Sequence, residues 1–272
     1  CQKYNVELEG PITIEIFPEQ KDFAVRTFGM PGVQGFLGVC FGNVITANSP
    51  AALGETSANW ESVLWHEFCH VVTLHKTHNK MPRWLSEGIS VYEELQEDPT
   101  WGQIMTPQYR QMILDGEMPP VSRLSSSFLA PKSPQHLQFA YFQSSLVVKY
   151  LVQTYGLDAL KRTLDDLGGG RQINDALQRN FAPLARIDAG FAEYAQRCAE
   201  SLAPDLNWDE CDLPPEADVA AIEAWLEDHP QNFTGLIQWA VALQRRELWR
   251  ESLEPARQLR ALFPSYVASG NG

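Results

Sequence analysis

The sequence predicts an α+β protein in which a short strand-forming region precedes a helical body and a separate helical tail. Three patterns carry this expectation. Pro11-Ile12-Thr13-Ile14-Glu15-Ile16-Phe17 alternates in the two-residue period of a strand with one buried face. Trp60 to Leu74 contains neither Gly nor Pro over about four helical turns, and its apolar residues fall on nearly every side, as in a helix buried between two layers. Pro230 and Pro264 stand 34 positions apart late in the chain, the period of a stacked helical hairpin.

Composition narrows the function. Of 272 residues, 44% are apolar and 20% charged, an ordinary soluble balance with room for a core and a second unit. The formal charge of −13 argues against nucleic acid and anionic membrane surfaces, which attract basic patches. No run reaches the roughly 18 apolar residues of a membrane span, and no basic-then-apolar leader opens the chain. A start at Cys1 and an end in Ser269-Gly270-Asn271-Gly272 read as those of an excised piece that has lost a signal or anchor. Five cysteines show no Cys-x-x-Cys spacing. Cys69 is expected to be a small buried hydrophobe. Cys198 and Cys211 either pair in an oxidising compartment or stay free, since an odd count makes no framework.

After the first strand, Pro18 to Phe28 reads as a helix closed by Gly29. Gly32 to Ala47 is rich in β-formers and punctuated by Gly35, Gly38 and Gly42, which fits hairpins or bulged strands. It lacks the Lys-Ser/Thr and the following helix that a phosphate-cradling loop requires. The buried helix comes next, with Thr56, Ser57 or Asn59 as N-cap, Lys76 suited to its C-terminal dipole and Asn79 as its stop. Within it, His66 and His70 lie four apart, so both imidazoles can face one metal ion. Glu67 sits one step round, where a base would take a proton from water.

A catalytic zinc needs three protein ligands and an open position. Pro82 suits the first position of a second helix, and Glu87 lies in its second turn, 17 positions after His70. That separation lets a short loop fold the second helix across the first. Glu94 falls two turns further along the same face, placed to hold a ligating histidine by its other ring nitrogen. Gly88 is expected to let the two helices approach closely.

His66-Glu67-x-x-His70 followed by Trp84-Leu85-Ser86-Glu87-Gly88-Ile89-Ser90-x-Tyr92-x-Glu94 resembles the gluzincin branch of the zinc metallopeptidases. It resembles most of all the peptidase MA-like domains found with tetratricopeptide repeats. The resemblance is specific over about Ser57 to Glu94 and looser over about Ile12 to Leu202. It implies a zincin-like domain over residues 1–205, with one Zn2+ per chain on His66, His70 and Glu87 and with Glu67 as catalytic base. The implied substrate is a peptide or protein. In zincins the strand before the metal helix is an edge strand to which substrate adds, and Asn43 to Ala47 is the expected strand. Aminopeptidases of the gluzincin type carry a Gly-x-Met-Glu-Asn stretch here, whereas this chain has Cys40-Phe41-Gly42-Asn43-Val44. The missing glutamate points to an endopeptidase. The alternative is a catalytically silent zincin scaffold serving a protein-interaction tail.

Prolines at 99, 107, 119, 120, 131 and 134 mark a loop-rich stretch with a short helix at Gln108 to Leu114, and Ser122 to Gln135 is expected to form a rim of the cleft. A long helix follows from about Pro134 to Tyr155. Its run from Ala140 to Leu151 resembles the peptidase MA-like pattern in which a tyrosine opens a helix behind the zinc. Tyr141 is thus either the donor that stabilises the oxyanion or a core aromatic beside Phe139, Phe142 and Tyr150; His136 is the lesser alternative donor. Helices at Leu157 to Leu167, Gln172 to Asn180 and Ile187 to Leu202 complete the body, with Gly168-Gly169-Gly170 as a flexible link. Composition shifts around Pro204 to Asp218, and residues 216–272 then form the tail. There Leu236, Ala240, Leu243, Ser252, Ala256, Leu259 and Pro264 resemble tetratricopeptide packing positions, which implies a possible protein partner. The expected compartment is the bacterial cell envelope or the outside of the cell, ahead of the cytoplasm.

Overall fold

The computed structural model describes residues 1–32, 35–53 and 59–264. It divides into two compact units, Cys1–Arg197 and Cys198–Gly272.

The first unit opens with a 3-10 turn, Gln2–Tyr4, tied to the body by a buried carboxylate. Lys3 Nζ lies 2.6 Å from Glu93 Oε2, and Tyr4 Oη donates to Glu93 Oε1 at 2.6 Å. A three-stranded sheet follows, built from β1 (Thr13–Phe17), β2 (Gly38–Phe41) and β3 (Val44–Asn48) in the order β1-β3-β2. β1 runs parallel to β3 and β2 antiparallel to it. Helix α1 (Gln20–Phe28) makes the crossover, beginning after Pro18 and ending at Gly29 with φ +73°.

The strand order corrects one expectation. The segment before the metal helix is the central strand, and the edge strand beside that helix is β2. The tight turn at Gly42, with φ +60°, folds β2 back along one side of β3, while the α1 crossover lays β1 along the other. Paired residues share a face, so Ile45 and Ala47 lie with Cys40 and Gly38 on the side that meets the metal helix. The opposite face packs on α1, through Phe17 against Phe23 and the Thr27 hydroxyl 3.2 Å from that of Thr46.

Helix α2 (Trp60–Thr77) is capped by Asn59, whose side chain accepts from the amides of Glu61 and Ser62; Thr56 and Ser57 lie outside the described residues. It stops at His78, one position ahead of Asn79, and both residues adopt positive φ. Cys69 is buried, as expected. Helix α3 (Arg83–Glu97) takes Pro82 as its N-cap and not as its first helical residue, because ψ of 150° leaves Pro82 extended. Trp84, Leu85 and Ile89 are essentially inaccessible to water. Each such side chain contributes about 1.5–3 kcal/mol of hydrophobic stabilisation.

Helices α4 (Pro107–Leu114) and α5 (Ser125–Leu129) lead into the long α6 (Pro134–Tyr155). Gly88 allows a close approach, but to α6 and not to α2: a Cβ there would fall 2.6 Å from the backbone oxygen of Ser144. α7 (Leu157–Gly168), α8 (Ile173–Asn180) and α9 (Leu184–Glu200) follow. Gly168 is no flexible link. It ends α7 buried against α2, where a Cβ would lie 2.9 Å from Lys76 O.

The second unit holds α10 (Val219–Asp228), α11 (Phe233–Arg245) and α12 (Leu253–Leu262). Val219, Ile222, Leu226, Leu236, Ala242 and Leu243 form its core, with Leu259 packed against it. Ser252 is buried, whereas Ala256 is exposed. Cys198 and Cys211 are both free, which closes the disulfide alternative; the Cys211 thiol lies 3.6 Å from Gln238 Oε1. Among the described residues no helix is long and apolar enough to cross a membrane.

Candidate metal centre

One helical turn separates His66 from His70 on α2, and their ring centroids lie 4.8 Å apart. α3 supplies what surrounds them. Glu94 Oε1 lies 2.6 Å from His66 Nδ1, and Ser62 Oγ donates to the other Glu94 oxygen at 2.7 Å. His70 Nδ1 meets Ser86 Oγ at 2.9 Å and Ser90 Oγ at 3.3 Å. Ser90 also donates to the backbone oxygen of His66 at 3.2 Å. A carboxylate only accepts, so Glu94 fixes the His66 proton on Nδ1 and leaves Nε2 for a proton or a metal ion.

Both Nε2 atoms turn inward. They lie 3.1 Å apart, and Glu87 Oε2 lies 3.3 Å from one and 3.4 Å from the other. Zinc bonds of about 2.0–2.1 Å in a tetrahedron put neighbouring ligand atoms about 3.3 Å apart. These three donors therefore outline one face of that tetrahedron, a spacing that fits a zinc ion. Among the described residues, His66, His70 and Glu87 are the one group of His, Cys, Asp or Glu clustered to hold a metal.

The contacts within this cluster shift the pKa values of His66 and Glu87. Burial opposes charge on both His66 and Glu87, yet their mutual hydrogen bonding outweighs it. Contacts with Glu87 and Glu94 push the His66 pKa up to about 10. Hydrogen bonds from His66 and His70 hold Glu87 well below the usual carboxylate range.

Glu67 is 7% exposed. Burial raises its pKa, against the opposing pull of His66 and His70. Its side chain lies directly under β2: a Cβ on Gly38 would stand 2.9 Å from Glu67 Cγ and 3.2 Å from its Oε1. The absence of a side chain at Gly38 lets β2 rest on this carboxylate without displacing it.

Tyr141 reaches the cleft through a residue that motif reading passed over. Arg83 Nη2 donates to the Tyr141 hydroxyl, and Arg83 Nε donates to Glu87 Oε1 at 3.2 Å. The Tyr141 ring packs edge-on against Phe128 of α5, with centroids 5.1 Å apart. Burial raises its pKa first, and the charge of Glu87 adds to this. His136 is engaged elsewhere, between Ser133 Oγ at 2.8 Å and Glu117 Oε2 at 3.1 Å.

The structure thus brings His66, His70, Glu87, Glu67 and Glu94 together, links Tyr141 to them through Arg83, and leaves His136 out. Reading the sequence missed Arg83, Ser62, Ser86, Ser90 and Gly38. Arg83 did carry a signal, four residues before Glu87 on one helical face.

No curated protein and no solved structure matches the chain. The Peptidase MA superfamily matches it over residues 2–184, a span that contains every residue of this centre. The chain belongs to the Peptidase MA superfamily.

Proposed function

We propose that this protein is a zinc-dependent metallopeptidase that cuts within extended peptide or protein chains. The reading is carried by the spacing of His66 Nε2, His70 Nε2 and Glu87 Oε2, which matches the edges of a tetrahedral zinc site. Zinc held there would supply Lewis acidity, lowering the pKa of water and polarising a carbonyl.

The chain's own residues account for the rest of the reaction. A substrate strand adding to the edge of β2, which pairs with no further strand among the described residues, is oriented by backbone hydrogen bonds and passes alongside Glu67. Glu67 takes the proton of the attacking water and returns it to the leaving amine nitrogen. Burial, which raises its pKa above the ordinary carboxylate range, favours its holding that proton between the two transfers. Tyr141, held by Arg83, keeps its proton and donates a hydrogen bond to the oxygen that gains charge. Residues 38–48 contain no Asp or Glu to bind a substrate's free amino group, which supports internal cleavage.

Glu67→Gln tests the reading. Bound zinc, at one per chain, and the melting temperature should match the parent, while hydrolysis of an unstructured protein such as casein disappears. Equal cleavage by variant and parent would remove Glu67 from the role of base. Absence of stoichiometric zinc from the parent would sink the whole reading.

The second unit is proposed as a tetratricopeptide-like segment for a protein partner. The 34-residue spacing and the burial of Leu236, Leu243 and Ser252 support this; the exposure of Ala256 is a departure from that repeat.

A further inference from the structure

We infer that Arg83 is a positioning residue that restricts Glu87 to a single ligand oxygen and holds the Tyr141 hydroxyl beside that carboxylate. The inference rests on the metallopeptidase reading. Arg83 is the first residue of α3, and its guanidinium touches three side chains. Nε donates to Glu87 Oε1 at 3.2 Å, and Nη2 donates to the Tyr141 hydroxyl. The guanidinium carbon stands 5.7 Å from the Phe128 ring centroid and 5.6 Å from that of Tyr141. Two hydrogen bonds and two aromatic contacts define both its position and its plane.

The consequence for Glu87 follows from carboxylate chemistry. A carboxylate free at both oxygens can chelate an ion with both, and that would fill the position a catalytic site must keep open. Here Oε2 faces the two imidazoles while Oε1 is engaged by Arg83. For Tyr141 the consequence lies in direction. Its oxygen accepts from Arg83, so its own proton is free for another acceptor, and accepting one hydrogen bond strengthens the one it donates. Lysine is no substitute, because one ammonium cannot reproduce the planar fork that spans a carboxylate and a phenol.

The test compares the parent with Arg83→Met, Arg83→Lys and Tyr141→Phe. Zinc affinity is measured by competition with a chromogenic chelator, the visible spectrum is recorded after loading with Co2+, and thermal melts confirm folding. Arg83→Met should weaken zinc by about 10–100-fold, the usual loss when a ligand's supporting contact is removed. Its cobalt spectrum should shift from the strong bands of four-coordinate metal to the weaker bands of five-coordinate metal. Arg83→Lys should fall between, and Tyr141→Phe should stay within about threefold of the parent in zinc affinity, well short of that loss. A folded Arg83→Met with the parent's affinity and spectrum overturns the inference. So does Tyr141→Phe weakening zinc as much as Arg83→Met, since the grip on Glu87 would then be incidental to packing. Should Arg83→Met not fold, Arg83→Lys decides: an intermediate affinity supports the inference, and parental affinity and spectrum overturn it. A parent that takes up neither zinc nor cobalt defeats the metal-site reading itself, and this inference with it.

Discussion

His66 leans on a carboxylate and His70 on hydroxyls: Glu94 Oε1 lies 2.6 Å from His66 Nδ1, while His70 Nδ1 meets Ser86 and Ser90. The two imidazoles are therefore unequally supported. Glu94→Ala should cost about 10–100-fold in zinc affinity, because it removes a charged acceptor. Ser86→Ala should cost less, since Ser90 remains within 3.3 Å. Chelator competition on both variants measures this, and equal losses would show that the charge of Glu94 is immaterial.

Gly38→Ala probes the contact between edge strand and base. The added methyl would stand 2.9 Å from Glu67 Cγ and 3.0 Å from Val63 Cγ1. Overpacking of this kind costs about 1–3 kcal/mol, so the melting temperature should fall by several degrees. Zinc content should stay at the parent's level while kcat falls, because Glu67 moves and the ligands do not. Unchanged turnover would mean that Glu67 needs no fixed place under β2.

Tyr141→Phe removes one hydroxyl and keeps the ring on Phe128. Turnover should drop about 10²–10³-fold, the cost of one oxyanion donor. The loss should appear in kcat more than in KM, because that interaction forms mainly in the transition state. Steady-state kinetics with a zinc assay decide it; turnover within about threefold of the parent would leave Tyr141 a packing residue.

Gly88→Ala should be the most damaging small substitution in α3. Its Cβ would meet Ser144 O at 2.6 Å and Ser144 C at 2.8 Å, both of them backbone atoms that cannot swing aside. Either α3 or α6 must shift, and Glu87 is the adjacent residue. A lower melting temperature and weakened zinc should appear together. Loss of stability with zinc affinity intact would show that the ligand does not depend on this helix contact.

The cluster of His66, His70, Glu87 and Glu94 was legible in the sequence because helical geometry fixes neighbours four and seven positions apart. His66 with His70, and Glu87 with Glu94, needed only that period and the assumption that two helices cross. Features that depend on distant pairing were not legible. Nothing local distinguishes β3 from β2 as the edge strand, since their order depends on which side of β3 the α1 crossover delivers β1. Gly88 reads as a close-contact residue, but its partner Ser144 lies on α6, far along the chain. Arg83 and Tyr141 are 58 positions apart, and no short pattern links them. The glycines at 168–170 look like slack in one dimension, yet Gly168 proves to be a packing surface once α2 lies against it.

Two neighbouring carboxylates on α3 face opposite ways. Glu94 holds the His66 imidazole, while Glu93 grips Lys3 and Tyr4 across 90 and 89 positions of chain. Adjacent residues of α3 thus join Lys3 and Tyr4 to the proposed zinc site. Closing a loop this long costs chain entropy, which the docking of α3 has to offset. Bound zinc should then slow amide exchange at Tyr4 and along α3 alike, a protection that spreads to residues far in sequence from every ligand.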